Sequence, residues 1–222
     1  MGKTGGGPGS NQYKMRGSTK ASPISVTPQP DLMKQSHTPD PVSIEEREAM
    51  ASNPNTSAEE LIQLAKDENP WVRQAVAKHN HAPTAVLVEL AQSGSHYVRL
   101  AVAKNSNAPA GALAQLAQDK NSGVRWTVVN NPNAPTHILA ILAKDEDNAV
   151  RIVVARNTNA PAQVLIQLAQ DEDCYVREAV ANNPNTPADT LAQLAQDENP
   201  DVREAVANNP NLPAHIRTML NI

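Results

Sequence analysis

Seven arginines recur in this 222-residue chain at intervals of 26: Arg47, Arg73, Arg99, Arg125, Arg151, Arg177 and Arg203. A row of planar guanidinium forks could clamp phosphates or carboxylates, so this is the first place where chemistry could reside. All but Arg47 follow a valine, and five have an aspartate six residues earlier: Asp67, Asp119, Asp145, Asp171 and Asp197. An acid beside nearly every arginine argues for a structural ladder, each fork fastening its own repeat through that aspartate. Ser93 interrupts the aspartate column and leaves Arg99 without that partner.

The other reactive residue types lack a chemical context. His79, His81 and His96 fall within 18 residues, but their spacing matches neither a zinc ligand set nor one helix face; His79 and His81 read as substitutes for turn asparagines. The single cysteine, Cys174, has no flanking base, and one cysteine excludes an internal disulfide. Gly2-Lys3-Thr4 precedes its glycines, the reverse of a phosphate-binding loop. No nucleophile–base–acid set is present. No catalytic, cofactor-binding or metal-ligating residue is therefore assigned.

Chemistry of another kind appears where the repeats differ. Around each Val-Arg pair, three positions at neighbouring helical angles read Trp71/Gln74/Lys78, Tyr97/Leu100/Lys104, Gly123/Trp126/Asn130, Ala149/Ile152/Arg156, Tyr175/Glu178/Asn182 and Asp201/Glu204/Asn208. Four of the five aromatic residues are here, and Leu100, Trp126 and Ile152 share a column that is polar in the other repeats. Stacked, they would form an apolar strip flanked by Lys104 and Arg156. Exposed, such a strip marks a contact surface; buried between helices, it would only set the pitch. Trp71, Tyr97, Leu100, Lys104, Trp126, Ile152, Arg156 and Tyr175 are the expected partner-binding set.

These residues are positioned by a repeat of the form N-x-N-x-P-x-x-x-L-x-x-L-A-x-D, a short spacer, then V-R-x-x-V-A. A fixed period of this size means a solenoid, in which each unit buries its apolar face only against its neighbours. Each repeat reads as two helices. The first opens with Pro83, Pro109, Pro135, Pro161, Pro187 or Pro213 at its first position and presents leucines at i and i+3. Thr186 is expected to cap one of them. The second starts after loops such as Asp67-Glu68-Asn69-Pro70, turns Val72, Ala75 and Val76 inward, and ends at the Asn-x-Asn turn, where asparagine tolerates left-handed backbone.

The expected fold is all-α, a solenoid of 26-residue two-helix repeats capped by polar half-repeats. Residues 42–52 form an N-terminal half-repeat with a Ser43/Glu46 capping box, 53–208 hold six full repeats, and 209–222 form a capping helix in which Arg217 replaces the first core leucine. Residues 1–41 hold six of nine glycines and six prolines and are expected to be a disordered basic tail. The tail carries a net +3 and residues 42–222 a net −7. An acidic body disfavours nucleic acid and anionic membrane as partners. With no apolar run of about 18 residues and no apolar leader segment, a cytoplasmic location is expected.

The repeat from Asn183 to Ala207, N-P-N-T-P-A-D-T-L-A-Q-L-A-Q-D-E-N-P-D-V-R-E-A-V-A, resembles the leucine-rich repeat variant, a family similar to HEAT and armadillo solenoids. The resemblance covers about residues 44–222 and implies a right-handed superhelix in which the second helix of a pair is in places 3₁₀. Some members carry a cysteine-rich iron–sulfur segment ahead of the repeats; with no cysteine before Cys174, no cofactor is carried over. The family implies architecture more than activity. The function expected is a non-enzymatic interaction or scaffold module for a protein or peptide partner, with self-association as one form of it. The D-x-x-x-x-V-R core is also similar to the HEAT-like repeats of alkylpurine DNA glycosylases and of bilin lyases, which gives two alternatives: a nucleic-acid-binding repeat protein and a bilin-lyase-like enzyme.

Overall fold

The computed structural model describes residues 42–220, so the expectation of a disordered tail over 1–41 falls outside the described residues. In chain order the elements are α1 (Ile44–Ser52), α2 (Ala58–Leu64), α3 (Pro70–Lys78), α4 (Thr84–Leu90), α5 (His96–Lys104), α6 (Ala110–Leu116), α7 (Ser122–Val129), α8 (Thr136–Leu142), α9 (Asn148–Arg156), α10 (Ala162–Leu168), α11 (Cys174–Asn182), α12 (Ala188–Leu194), α13 (Pro200–Asn208) and α14 (Ala214–Leu220). No strand occurs among the described residues. The fold is an α-solenoid in which a seven-residue helix alternates with one of eight or nine. No described helix is long and apolar enough to cross a membrane.

Burial follows the repeat columns. The valine before each arginine, from Val72 to Val202, has no exposed surface, nor has the valine four residues on, from Val76 to Val206. On the shorter helices Leu61, Leu87, Leu113, Leu165 and Leu191 are likewise fully buried. The residue after the second valine is alanine at 77, 103, 155 and 181, and each of these is fully buried; the small side chain lets neighbouring backbones approach closely. The longer helices pack against one another along the whole array, α1 on α3, α3 on α5 and onward to α11 on α13, whereas the shorter helices meet their own kind sparsely.

Three local expectations are corrected. First, both helices of every pair are α-helical; only their exits tighten, as where the Lys66 and Asp67 N–H groups donate to the Gln63 and Leu64 carbonyls and the His79 N–H to the Val76 carbonyl, each three residues back. Second, Pro83, Pro109, Pro135, Pro161 and Pro187 are N-caps with extended backbone, not first helical residues. The φ that proline fixes suits that position as well, and it removes an N–H that the helix has no use for. Pro70 and Pro200 do open α3 and α13. Thr186 does not cap; its hydroxyl donates to the Val180 carbonyl at 2.6 Å.

Third, the first asparagine of the Asn-x-Asn turn is not left-handed: Asn105 stands at φ −69°, ψ 123°. Its side chain does something else. Nδ2 of Asn105 donates to the carbonyls of Ala77 and His79 in the preceding repeat at 2.8 and 3.1 Å, while its Oδ1 accepts the Asn107 N–H. Asn131, Asn183 and Asn209 repeat the pattern, and Asn157 donates to the Val129 carbonyl. The second asparagine of the turn adds a rung: Asn107, Asn133, Asn185 and Asn211 each donate to a carbonyl 27 residues earlier. Buried carbonyls at helix ends need such partners. At the last of these rungs Arg217 donates to the Ala207 and Asn209 carbonyls at 3.5 and 2.9 Å, the pair an asparagine would take in the interior.

Candidate interaction surface

The arginine ladder joins repeats instead of fastening each one internally. Nε and Nη2 of Arg99 grip Asp119 at 2.5 and 2.9 Å, twenty residues later and in the next repeat. Arg47 grips Asp67, Arg125 Asp145, Arg151 Asp171 and Arg177 Asp197 in the same two-pronged way. The contact six residues back is also made, but to the backbone: Nη1 of Arg125 donates to the Asp119 carbonyl at 2.8 Å. Each aspartate also accepts the N–H two residues on, as Asp119 does from Asn121. One guanidinium thus ties a loop of its own repeat to the carboxylate of the next. Among the described residues Arg73 and Arg203 make only the carbonyl contacts. The arginine without a carboxylate near Ser93 is therefore Arg73, not Arg99.

This ladder responds to acid. The Arg47 fork holds the Asp67 carboxyl below its ordinary pKa against the opposing effect of burial. Burial pushes Asp119 upward, but the Arg99 fork and the Asn121 N–H outweigh it and the net shift is downward. Asp197 is lowered by Arg177, with burial opposing and the Asn199 N–H adding to the effect. A carboxylate whose native pKa lies below its unfolded value of about 3.9 stabilises fully above that value. The contribution is lost as pH falls through the native pKa. The urea midpoint should accordingly be flat from pH 7 to about pH 5 and fall steeply below about pH 4. Asp119→Asn should flatten part of that fall, and a wild-type midpoint unchanged down to pH 3 would contradict the assignment.

The histidines are drawn into the same scaffold. His79 occupies the asparagine column, with Nε2 3.0 Å from the Asn53 carbonyl and Nδ1 accepting the His81 N–H, which reproduces both roles of the asparagine. His96 lies against Tyr97, ring centroids 4.0 Å apart. Cys174 is half-buried against the core. Among the described residues no three His, Cys, Asp or Glu side chains converge as a metal site.

What the ladders leave over is the set of positions that differ between repeats. Trp71, Tyr97, Trp126 and Tyr175 all stand out from the longer helices, Trp126 at 44% and Tyr175 at 61% exposure. Trp71 and Tyr97 meet across the first junction, ring centroids 5.3 Å apart, and with His96 form one aromatic group. Leu100 and Ile152 share the helical position of Trp126 but are half-buried and pack against the core. The expected apolar strip is thus exposed at its indole and recessed on both sides. Lys104 and Arg156 are exposed in the last turns of α5 and α9.

Comparison with known proteins bears on the scaffold. The leucine-rich repeat variant family matches residues 98–121, and the Leucine Rich Repeat Variant domain matches residues 176–221. A solved leucine-rich repeat variant, described as a novel repetitive protein structural motif, is similar over 74% of this chain and 70% of its own, with 29% identity and a TM-score of 0.58. The Escherichia coli protein YibA is similar over 72% of this chain and 71% of its own, with 20% identity and a TM-score of 0.46. No curated protein sequence matches the chain.

Proposed function

The chain belongs to the leucine-rich repeat variant family, and from that premise we propose that it is a non-enzymatic interaction module that binds a protein or peptide along the row of longer helices. The observation that carries this reading is a division of labour among columns. Valine, leucine, asparagine, arginine and aspartate columns are consumed in holding repeats together. Four aromatic side chains lie outside them, Trp71, Tyr97, Trp126 and Tyr175, and all four are on the row of longer helices at 44–61% exposure. Tryptophan and tyrosine supply much contact area with few rotatable bonds and are enriched among the residues that dominate interface energies. Leu100 and Ile152 flank Trp126 as apolar shoulders, with Lys104 and Arg156 as its charged rim.

The acidic balance of residues 42–222, a net −7, speaks against a nucleic-acid partner, whose backbone demands clustered cations. The reading is tested by affinity capture with wild type and Trp126→Ala. Loss of an anchor of this kind costs about 2 kcal/mol, or roughly thirtyfold in affinity, whereas truncation of an exposed side chain should leave the urea midpoint within about 0.5 kcal/mol of wild type. Unchanged capture, or a variant that loses stability and capture together, would count against Trp126 as an anchor.

A further inference from the structure

We propose that the junction between the first and second full repeats holds a carboxylate-binding site centred on Arg73. At five junctions the arginine fork is closed by the aspartate of the next repeat, and at two of these a glutamate one residue on stands close as well: Glu146 at 3.6 Å from Arg125 and Glu198 at 3.7 Å from Arg177. Ahead of Arg73 the two positions are Ser93 and Gly94, so both carboxylates are absent together. The fork is nevertheless held in its ladder position, because Nη1 donates to the Asp67 and Glu68 carbonyls at 2.5 and 2.9 Å. Nε and Nη2, which grip the aspartate elsewhere, have no acceptor among the described residues.

The remaining donor of the aspartate position is also in place. At the other junctions the N–H two residues after the aspartate closes on its Oδ1 at 2.8 to 3.0 Å. Here the Ser95 N–H reaches only the Ser93 hydroxyl, at 3.4 Å. These groups open on a groove of about 470 Å³ lined by Lys66, Glu68, Arg73, Glu89, Ser93 and Gly94, with Asp67 committed to Arg47. Neither Glu68 nor Glu89 forms an ion pair with Arg73, but both face the groove and set its preference. A planar ligand with one negative charge matches the fork bidentately. A phosphate dianion would bring a second charge against two glutamates. The ligand class is therefore a carboxylate, either a small carboxylic acid or an acidic side chain of a polypeptide. The site does not depend on the aromatic face being a contact surface.

The full-length protein is titrated with sodium acetate and with N-acetyl-aspartate amide at constant ionic strength, with the Arg73 Nε–H followed by NMR. Ser93→Asp rebuilds the internal carboxylate. It should raise the urea midpoint, move the Arg73 resonance to where the other ladder arginines lie, and weaken both probes at least tenfold. An aspartyl probe at least tenfold tighter than acetate identifies a polypeptide side chain as the ligand, and equal affinity identifies a small carboxylate. Arg73→Gln gives a second check, since it should abolish the rise in melting temperature that either probe produces in wild type. No response at Arg73 in wild type, an equal response in Ser93→Asp, or saturation by inorganic phosphate but not by acetate would overturn the proposal.

Discussion

Asn131→Asp, which exchanges one amide for a carboxylate of the same shape, should destabilise the array by about 3–5 kcal/mol, more than Asn131→Ala. Asn131 is buried, and its Nδ2 donates to the Ala103 and Asn105 carbonyls at 2.8 and 2.9 Å. Alanine leaves those two carbonyls and the Asn133 N–H without their partner, at about 1–3 kcal/mol for an unmet buried group. Aspartate keeps the bond from the Asn133 N–H but turns both donated bonds into contacts between carbonyl oxygens and an anion. The charge has no cation to offset it, which is the case in which a buried ion is most costly. In a solenoid, stability is close to a sum of repeat and junction terms, so damage to a central junction weakens both halves. Urea titrations of the two variants read the difference directly. Equal losses for alanine and aspartate would mean that the rung contributes by filling space and not by donating.

The period, the valine and leucine columns and the all-α class were legible because burial selects residue type at fixed spacing, and that spacing survives in the sequence. The asparagine rungs were read only as turn formers, since a turn and a cross-repeat hydrogen bond select the same residue at the same place. Periodicity itself hid the partner of each arginine. With a repeat of 26, the aspartate six residues before one arginine is also the aspartate twenty residues after the previous one, so the column alone cannot say which fork it meets. Only its interruptions discriminate. Pairing backward leaves Arg47 facing Pro41 and orphans Arg99 at Ser93; pairing forward gives Arg47 the Asp67 carboxylate and orphans Arg73 instead, as found. Exposure in the strip was illegible for a different reason. Leu100, Trp126 and Ile152 share one helical angle, but leucine and isoleucine are small enough to settle against the core while the indole overhangs it.

Arg125→Ala should cost about 3 kcal/mol, and the loss should be specific to the forward partner. Both side chains of the Arg125–Asp145 pair are mostly shielded, at 9% and 4% exposure, with Nε and Nη2 each 2.7 Å from a carboxylate oxygen. Removing the guanidinium leaves Asp145 as a shielded charge and also frees the Asp119 carbonyl, which accepts from Nη1. Asp145→Asn in the Arg125→Ala background should then recover part of the loss, because a neutral amide in that place no longer needs the fork. A double-mutant cycle isolates this coupling. The cycle between Arg125 and Asp145 should give a large interaction energy, and the cycle between Arg125 and the Asp119 side chain a small one, since Asp119 is gripped by Arg99. Arg203 supplies the internal control. It is exposed and meets only the Asp197 and Glu198 carbonyls among the described residues, so Arg203→Ala should stay within about 0.5 kcal/mol of wild type. Equal losses at Arg125 and Arg203 would mean that the arginine column stabilises helices singly instead of locking each repeat to the one that follows.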